Sequence, residues 1–243
     1  MAKKEVNKEK EGLSPEKKQN VKQDVSEITW EKDKKYPPEQ ALELTKKLSK
    51  TKFDASVEVH FRLGIDPRKG DQQVRGAVAL PHGTGKEIRV AAFVSPENQK
   101  KAQEAGADKV GAEDLIEEIK KTEKTDFDVA VAEPALMKSL SQIAKTLGTR
   151  GLMPSPKNET VTPDPIKAIK ELKKGKVGFK NDNTGNLHIM IGKVSFDTKS
   201  LEENFKTLVE NVKKHKPSGA KGTYLKNVSI SSTMGPGIRV DIE

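Results

Sequence analysis

Val90-Ala-Ala-Phe-Val94 and Val129-Ala-Val-Ala132 are the longest plainly apolar runs in the chain. Strands apolar on both faces belong inside a sheet that is covered on both sides. The segments around them keep that promise. Residues 96–105, 112–121, 134–147 and 164–174 read as amphipathic helices, and 107–110 as one more strand. Strand 88–94, helix, strand, helix, strand 127–133 and helix alternate, which is the pattern of a small parallel α/β layer fold.

Outside this block the period changes. Val57, Val59, Phe61 and Leu63 alternate with Glu58, His60 and Arg62. That spacing predicts a strand over 54–64 with one buried and one polar face. A helix beginning at Tyr36-Pro-Pro precedes it, with Ala41, Leu44 and Leu48 as its apolar face. A second strand, 74–80, follows the polar loop 64–73. Downstream, 176–180 and 187–191 read as strands split by the turn Asn181-Asp-Asn-Thr-Gly185. Ser200-Leu-Glu-Glu203 has the form of a capping box opening a helix with Leu201, Phe205, Leu208, Val209 and Val212 on one face. Strands over 225–232 and 237–242 complete the set. The two joints, Leu80-Pro-His-Gly-Thr-Gly-Lys86 and Lys173-Lys-Gly-Lys-Val-Gly178, are Gly-rich. Paired hinges around a self-contained α/β unit predict an inserted domain, 84–175, within a split domain of 36–83 plus 176–243. Residues 1–35 form a Lys/Glu-rich extension, with disorder expected over the first 12 residues and Val21, Val25 and Ile28 on one helical stripe.

The 243 residues include 45 Lys plus Arg against 36 Asp plus Glu, a net charge of +9. The excess is unevenly placed. Residues 1–50 are net +3 and 176–243 net +4, whereas 51–83 and 84–175 are each net +1. If the ends fold together they own nearly all of it, the footprint expected of a polyanion-binding face. Only six basic residues are arginine. Lysine suits phosphates and arginine suits guanine edges, so backbone and shape readout is favoured over base reading, unless genomic base composition sets the ratio. Without cysteine there is no disulfide framework and no thiolate metal site. No run approaches the ~20 apolar residues of a membrane span, and the N-terminus lacks the apolar core of a secretory signal. A cytoplasmic protein is expected.

The motifs that suggest chemistry fall short of it. Gly83-Thr-Gly-Lys86 fails as a phosphate loop because Leu80 stands where the motif needs Gly and Glu87 where it needs Ser or Thr. It also leads into a strand, so no helix N-terminus faces a phosphate. His60, His82, His188 and His215 have no metal-ligand spacing, and Asp126 and Asp128 read as solvated strand-end charges. No catalytic residue, metal or cofactor is assigned. Thr233-Met-Gly-Pro-Gly237 lies between two predicted strands. It is either a plain hairpin turn or a contact loop, with Met exposed and glycines permitting close approach by an RNA minor groove.

Several stretches in order resemble one family. They are Val57-Glu-Val-His-Phe-Arg-Leu-Gly-Ile-Asp66, Gln73-Val-Arg-Gly76, Leu80-Pro-His-Gly83, Glu104-Ala-Gly-Ala-Asp108, Leu147-Gly-Thr-Arg-Gly-Leu-Met-Pro154, Lys180-Asn-Asp182, Gly192-Lys-Val-Ser-Phe196, His215-Lys-Pro217 and Thr233-Met-Gly-Pro236. Together they look like the bacterial ribosomal protein L-one family, the first protein of the large subunit. The resemblance implies a two-domain α/β fold: a split α/β sandwich made by both chain ends, and an inserted Rossmann-like three-layer domain. It implies a non-enzymatic, monomeric protein that binds large-subunit rRNA at the base of a mobile stalk. That stalk assists movement and release of exit-site tRNA. Many members also repress translation of their own operon mRNA. The family's RNA surface maps here onto Phe53, Glu58, His188, Lys193, Ser195, Thr233, Met234 and Gly235. Phe53 and Met234 would touch sugar edges, and Lys193 would neutralise phosphate. Ser195, Thr233 and His188 would hydrogen-bond phosphates or 2′-hydroxyls. Glu58 would accept from a hydroxyl or orient a basic neighbour, unless it is an ordinary strand-face ion pair. The chain departs from the family pattern at Thr149 and Ser155, where Pro and Asn are frequent, and over residues 1–35. The alternatives are a nonspecific RNA or DNA chaperone, or an enzyme binding nucleotide through the middle domain.

Overall fold

A computed structural model describes residues 30–242. The expectations for the first 12 residues and for Val21, Val25 and Ile28 lie outside them.

The chain ends build a five-stranded sheet. Its strands are β1 (Lys35–Tyr36), β2 (Ser56–Leu63), β8 (Asn186–Lys193), β9 (Leu225–Ser232) and β10 (Ile238–Val240), in the order β1-β10-β9-β2-β8. β2 lies between β9 and the edge strand β8, antiparallel to both. The alternation read from sequence holds: Val57, Val59, Phe61 and Leu63 are buried, while Ser56, Glu58, His60 and Arg62 face the other side. Helices α1 (Pro38–Lys47) and α7 (Thr198–Lys214) cover the apolar face. α7 buries Leu201, Phe205, Leu208, Val209 and Val212, the stripe its spacing predicts.

The middle of the chain forms a parallel three-stranded sheet of β4 (Val90–Phe93), β5 (Lys109–Gly111) and β6 (Val129–Ala132), in the order β5-β4-β6. Ala91, Phe93, Ala130 and Ala132 point into one apolar cluster, with residues of α3 (Glu113–Thr122) and the segments after β6. Val90, Ala92 and Val131 point into a second, with α2 (Pro96–Glu104) and α6 (Pro165–Lys173). Three layers result, because successive strand residues point to opposite faces. The remaining strands, β3 (Arg75–Ala79) and β7 (Lys176–Lys180), pair only with each other and form an antiparallel ribbon. Its ends adjoin the two Gly-rich joints, where Gly83 and Gly175 touch so closely that a Cβ on Gly175 would lie 2.4 Å from Gly83 Cα. No apolar cluster mixes buried residues of the five-stranded sheet with those of the parallel sheet.

Local readings fail in four places. Tyr36 is in β1, and helix α1 starts at Pro38. α7 starts at Thr198 after Asp197, which puts Ser200 and Glu203 inside the helix, so there is no capping box at Ser200. The predicted helix 134–147 breaks into 3₁₀ turns and two short helices, α4 (Met137–Leu140) and α5 (Ala144–Thr149). Strand 237–242 is pared to three residues.

Candidate nucleic-acid interface

Antiparallel pairing sets the site. The start of β2 lies beside the ends of both neighbours, with Ser56 opposite Lys193 and Val57 opposite Ser232. Three loops therefore meet at one end of the sheet: 51–55, 193–197 and 233–237. Phe53 stands on the first at 56% exposure and Met234 on the third at 88%, the exposed large hydrophobics among the described residues. Both side chains stand on loops that also carry polar groups.

Each loop is tied down. The N–H of Thr233 donates to Ser56 O at 3.0 Å, and the Ser56 N–H donates back to Thr233 Oγ1 at 3.1 Å. Thr233 thus closes the sheet before the chain turns. Met234 adopts φ +62°, a left-handed conformation costly for a side chain with a Cβ. That geometry lifts the thioether off the surface. Gly235 follows because a Cβ there would meet Ser232 Oγ at 2.2 Å. Its requirement is thus internal to the turn. On the second loop Ser195 donates from Oγ to Asp54 Oδ2 at 2.8 Å and from its N–H to Oδ1 at 3.1 Å. Lys193 Nζ lies 4.0 Å from the same carboxylate. Asp54 therefore orders both residues and partly screens the lysine charge. Sequence reasoning missed it; the only signal was an acid next to Phe53.

The open face of the sheet carries the rest in cross-strand rows. Glu58 sits between Ser231 and Met190, and His60 between Ser229 and His188. Arg239 continues the second row beside Ser229, with Lys35 beyond it. Among the described residues Glu58 has no ion-pair partner. His188 stands apart from the loop cluster: five residues before Lys193, about 17 Å along the strand at the usual rise. The eight expected residues thus divide into a loop cluster of six and an open-face pair, Glu58 and His188. Burial and the neighbouring His188 hold the His60 imidazole below its ordinary range, with Glu58 opposing them. Burial pushes the Asp182 carboxyl up, but hydrogen bonds from Thr184 and Asn186 outweigh it and bring it to about 2.

The middle unit offers no comparable site for phosphate. In a doubly wound sheet ligands sit where the strand order reverses, beyond the strand ends. Here Glu133 fills that place, accepting from the Ser95 N–H at 3.1 Å and Asn98 Nδ2 at 2.8 Å in front of α2. A buried carboxylate at that helix start repels a phosphate. The cleft between the two Gly-rich joints is lined by Lys86, Arg89, Lys173 and Lys174, and Asp128 and Asp108 pair with the first three. Among the described residues no group of three or more His, Cys, Asp or Glu converges, and no helix is long and apolar enough to cross a membrane.

The model of the Ribosomal protein L1p/L10e family matches residues 45–236. The chain belongs to this family. A protein named "Large ribosomal subunit protein uL1" from Thermosipho africanus is 51% identical over 211 residues, covering 87% of this chain and 91% of its own. One of the same name from Mycoplasma capricolum subsp. capricolum is 52% identical over 211 residues, covering 87% and 93%. These names denote a ribosomal component and not an enzyme, in line with the reading that the chain does no chemistry. All eight expected contact residues fall within the span matched to the family, as do both sheets' central strands.

Proposed function

We propose that this protein is an rRNA-binding component of the large ribosomal subunit, working in the cytoplasm on the ribosome. The observation that carries the reading is the loop cluster. Met234 and Phe53 project an apolar pair next to Lys193, Ser195 and Thr233, beside a polar sheet face. Apolar groups suit sugar edges, the lysine suits phosphate, and hydroxyls suit 2′-hydroxyls: a set for reading the shape of folded RNA. The docking unit comprises 36–83 and 176–243. The inserted unit, 84–175, hangs from the β3–β7 ribbon and both Gly-rich joints, which supports its repositioning as the stalk moves with exit-site tRNA. Repression of its own operon mRNA would use the same surface on a mimic of the rRNA site.

The test is competition binding at two salt concentrations, with the stalk-base fragment of large-subunit rRNA labelled and unrelated duplex RNA as competitor. The stalk RNA is expected to win by orders of magnitude and to keep its preference as salt rises. Equal competition that salt abolishes for both RNAs would make the protein a nonspecific polyanion binder.

A further inference from the structure

His60 was not among the expected contact residues, yet it lies on the open face with both ring nitrogens engaged. Its Nδ1 lies 2.8 Å from Nδ1 of His188, and its Nε2 lies 2.8 Å from Ser231 Oγ. The rings meet edge to face at 5.0 Å between centroids. Nε2 of His188 looks toward Asp182, 3.8 Å from Oδ2.

Two Nδ1 atoms at 2.8 Å must hold a proton between them, since two lone pairs would repel. Only two neutral arrangements provide one. If His188 donated, its Nε2 would be a bare lone pair facing the Asp182 carboxylate. If His60 donates, Ser231 O–H donates to His60 Nε2, His60 Nδ1–H donates to His188 Nδ1, and His188 Nε2–H points toward Asp182. The second opposes no lone pairs and turns each donor toward the carboxylate, with His188 Nε2–H, 3.8 Å from Asp182 Oδ2, too far to be bonded to it. Asp182 is fixed for this role: Thr184 Oγ1 donates to it at 2.6 Å and the Asn186 N–H at 2.7 Å.

We propose that His60 is a positioning residue for RNA recognition: it donates to His188 and holds that ring with Nε2–H outward, a hydrogen-bond donor at a fixed place on the sheet. This rests on the reading of the sheet as an RNA face. A distal partner that sets tautomer and orientation is a common device for histidines. Charged groups around the pair are Glu58 and Arg62 on β2, Asp182 before β8 and Arg239 on β10; β9 contributes only Ser229 and Ser231. Protonating the pair twice removes the acceptor and ends the arrangement. Low pH also makes it superfluous, because an imidazolium donates from both nitrogens.

The test combines two measurements on the full chain. Nitrogen-15 NMR of the free protein at pH 8 is expected to show His188 protonated at Nε2 only, with a scalar coupling across the Nδ1–H···Nδ1 bond. Absence of that coupling overturns the arrangement whatever the RNA result. Binding of the stalk-base RNA fragment is then measured at pH 8 and pH 5 for wild type, His60→Ala and His60→Asn. At pH 8 His60→Ala is expected to bind about threefold to tenfold more weakly, the range of one modest hydrogen bond. His60→Asn, whose amide nitrogen can stand where Nδ1 does, is expected to regain most of that. At pH 5 the gap is expected to close. Equal binding at pH 8, an equal loss at both pH values, or no recovery with asparagine would overturn the proposal. A wild type that does not prefer the stalk RNA would instead count against the proposed function, and the NMR result would still stand.

Discussion

Replacing Met234 by glycine separates the fold from the contact. The residue stands at φ +62° and 88% exposure, so it contributes strain and almost no packing. A left-handed residue with a Cβ costs about 1–2 kcal/mol, which glycine relieves. Glycine's larger backbone entropy loss returns about 0.5–1 kcal/mol. Met234→Gly is therefore expected to leave stability unchanged or to raise it by up to about 1.5 kcal/mol. If the thioether is buried against RNA, its loss removes about 1.5–3 kcal/mol of apolar burial. That corresponds to roughly a tenfold to 150-fold weaker complex. Urea unfolding followed by circular dichroism reads the first quantity, and titration of the stalk-base RNA at fixed salt reads the second. The salt dependence of binding should not change, since no charge is removed. Undiminished affinity would remove Met234 from the interface. Stability and affinity falling together would make the loop a packing element, and the reasoning would be wrong.

Two further perturbations test other parts of the fold. Asn204 is fully buried; its Oδ1 accepts from the His82 N–H at 3.1 Å, and its Nδ2 donates to Gly83 O at 3.0 Å and Ile191 O at 2.8 Å. Asn204→Ala leaves these joint groups without partners and is expected to cost about 2–3 kcal/mol in a thermal or urea melt; a loss under 0.5 kcal/mol would show that the joint is held otherwise. Asp182 is lowered from 3.8 to about 2 in the folded chain. Its contribution to stability is therefore full above about pH 4 and fades as pH falls toward 2. Asp182→Asn should flatten that part of the acid unfolding profile, and an unchanged profile would refute the assignment.

Much of this was legible in the residues themselves. Alternation over Val57–Leu63 gave β2 its two faces, and the period along α7 named its buried stripe, because both are local consequences of backbone repeat. Val90–Val94 and Val129–Ala132 announced a sheet covered on both sides, since only such a sheet buries every residue of a strand. The Gly-rich stretches lie at the ends of the β3–β7 ribbon. Helix starts were less legible. At Ser200 the capping pattern was present but Asp197 began the helix, because the turn from β8 reaches the sheet-covering position three residues earlier.

The site depended on tertiary structure. Phe53, Lys193 and Met234 are separated by most of the chain, and only the pairing of β2 with both β8 and β9 brings their loops to one end of the sheet. The partners are invisible in sequence for the same reason: Asp54 under Ser195, and His60 against His188, are contacts across 141 and 128 residues. Residue type and period determined which faces are apolar and which are polar, since these follow from the nearest few residues. Which polar groups share a proton, and which apolar tips stand together, was decided by strand order and register, a long-range choice that no local pattern encodes.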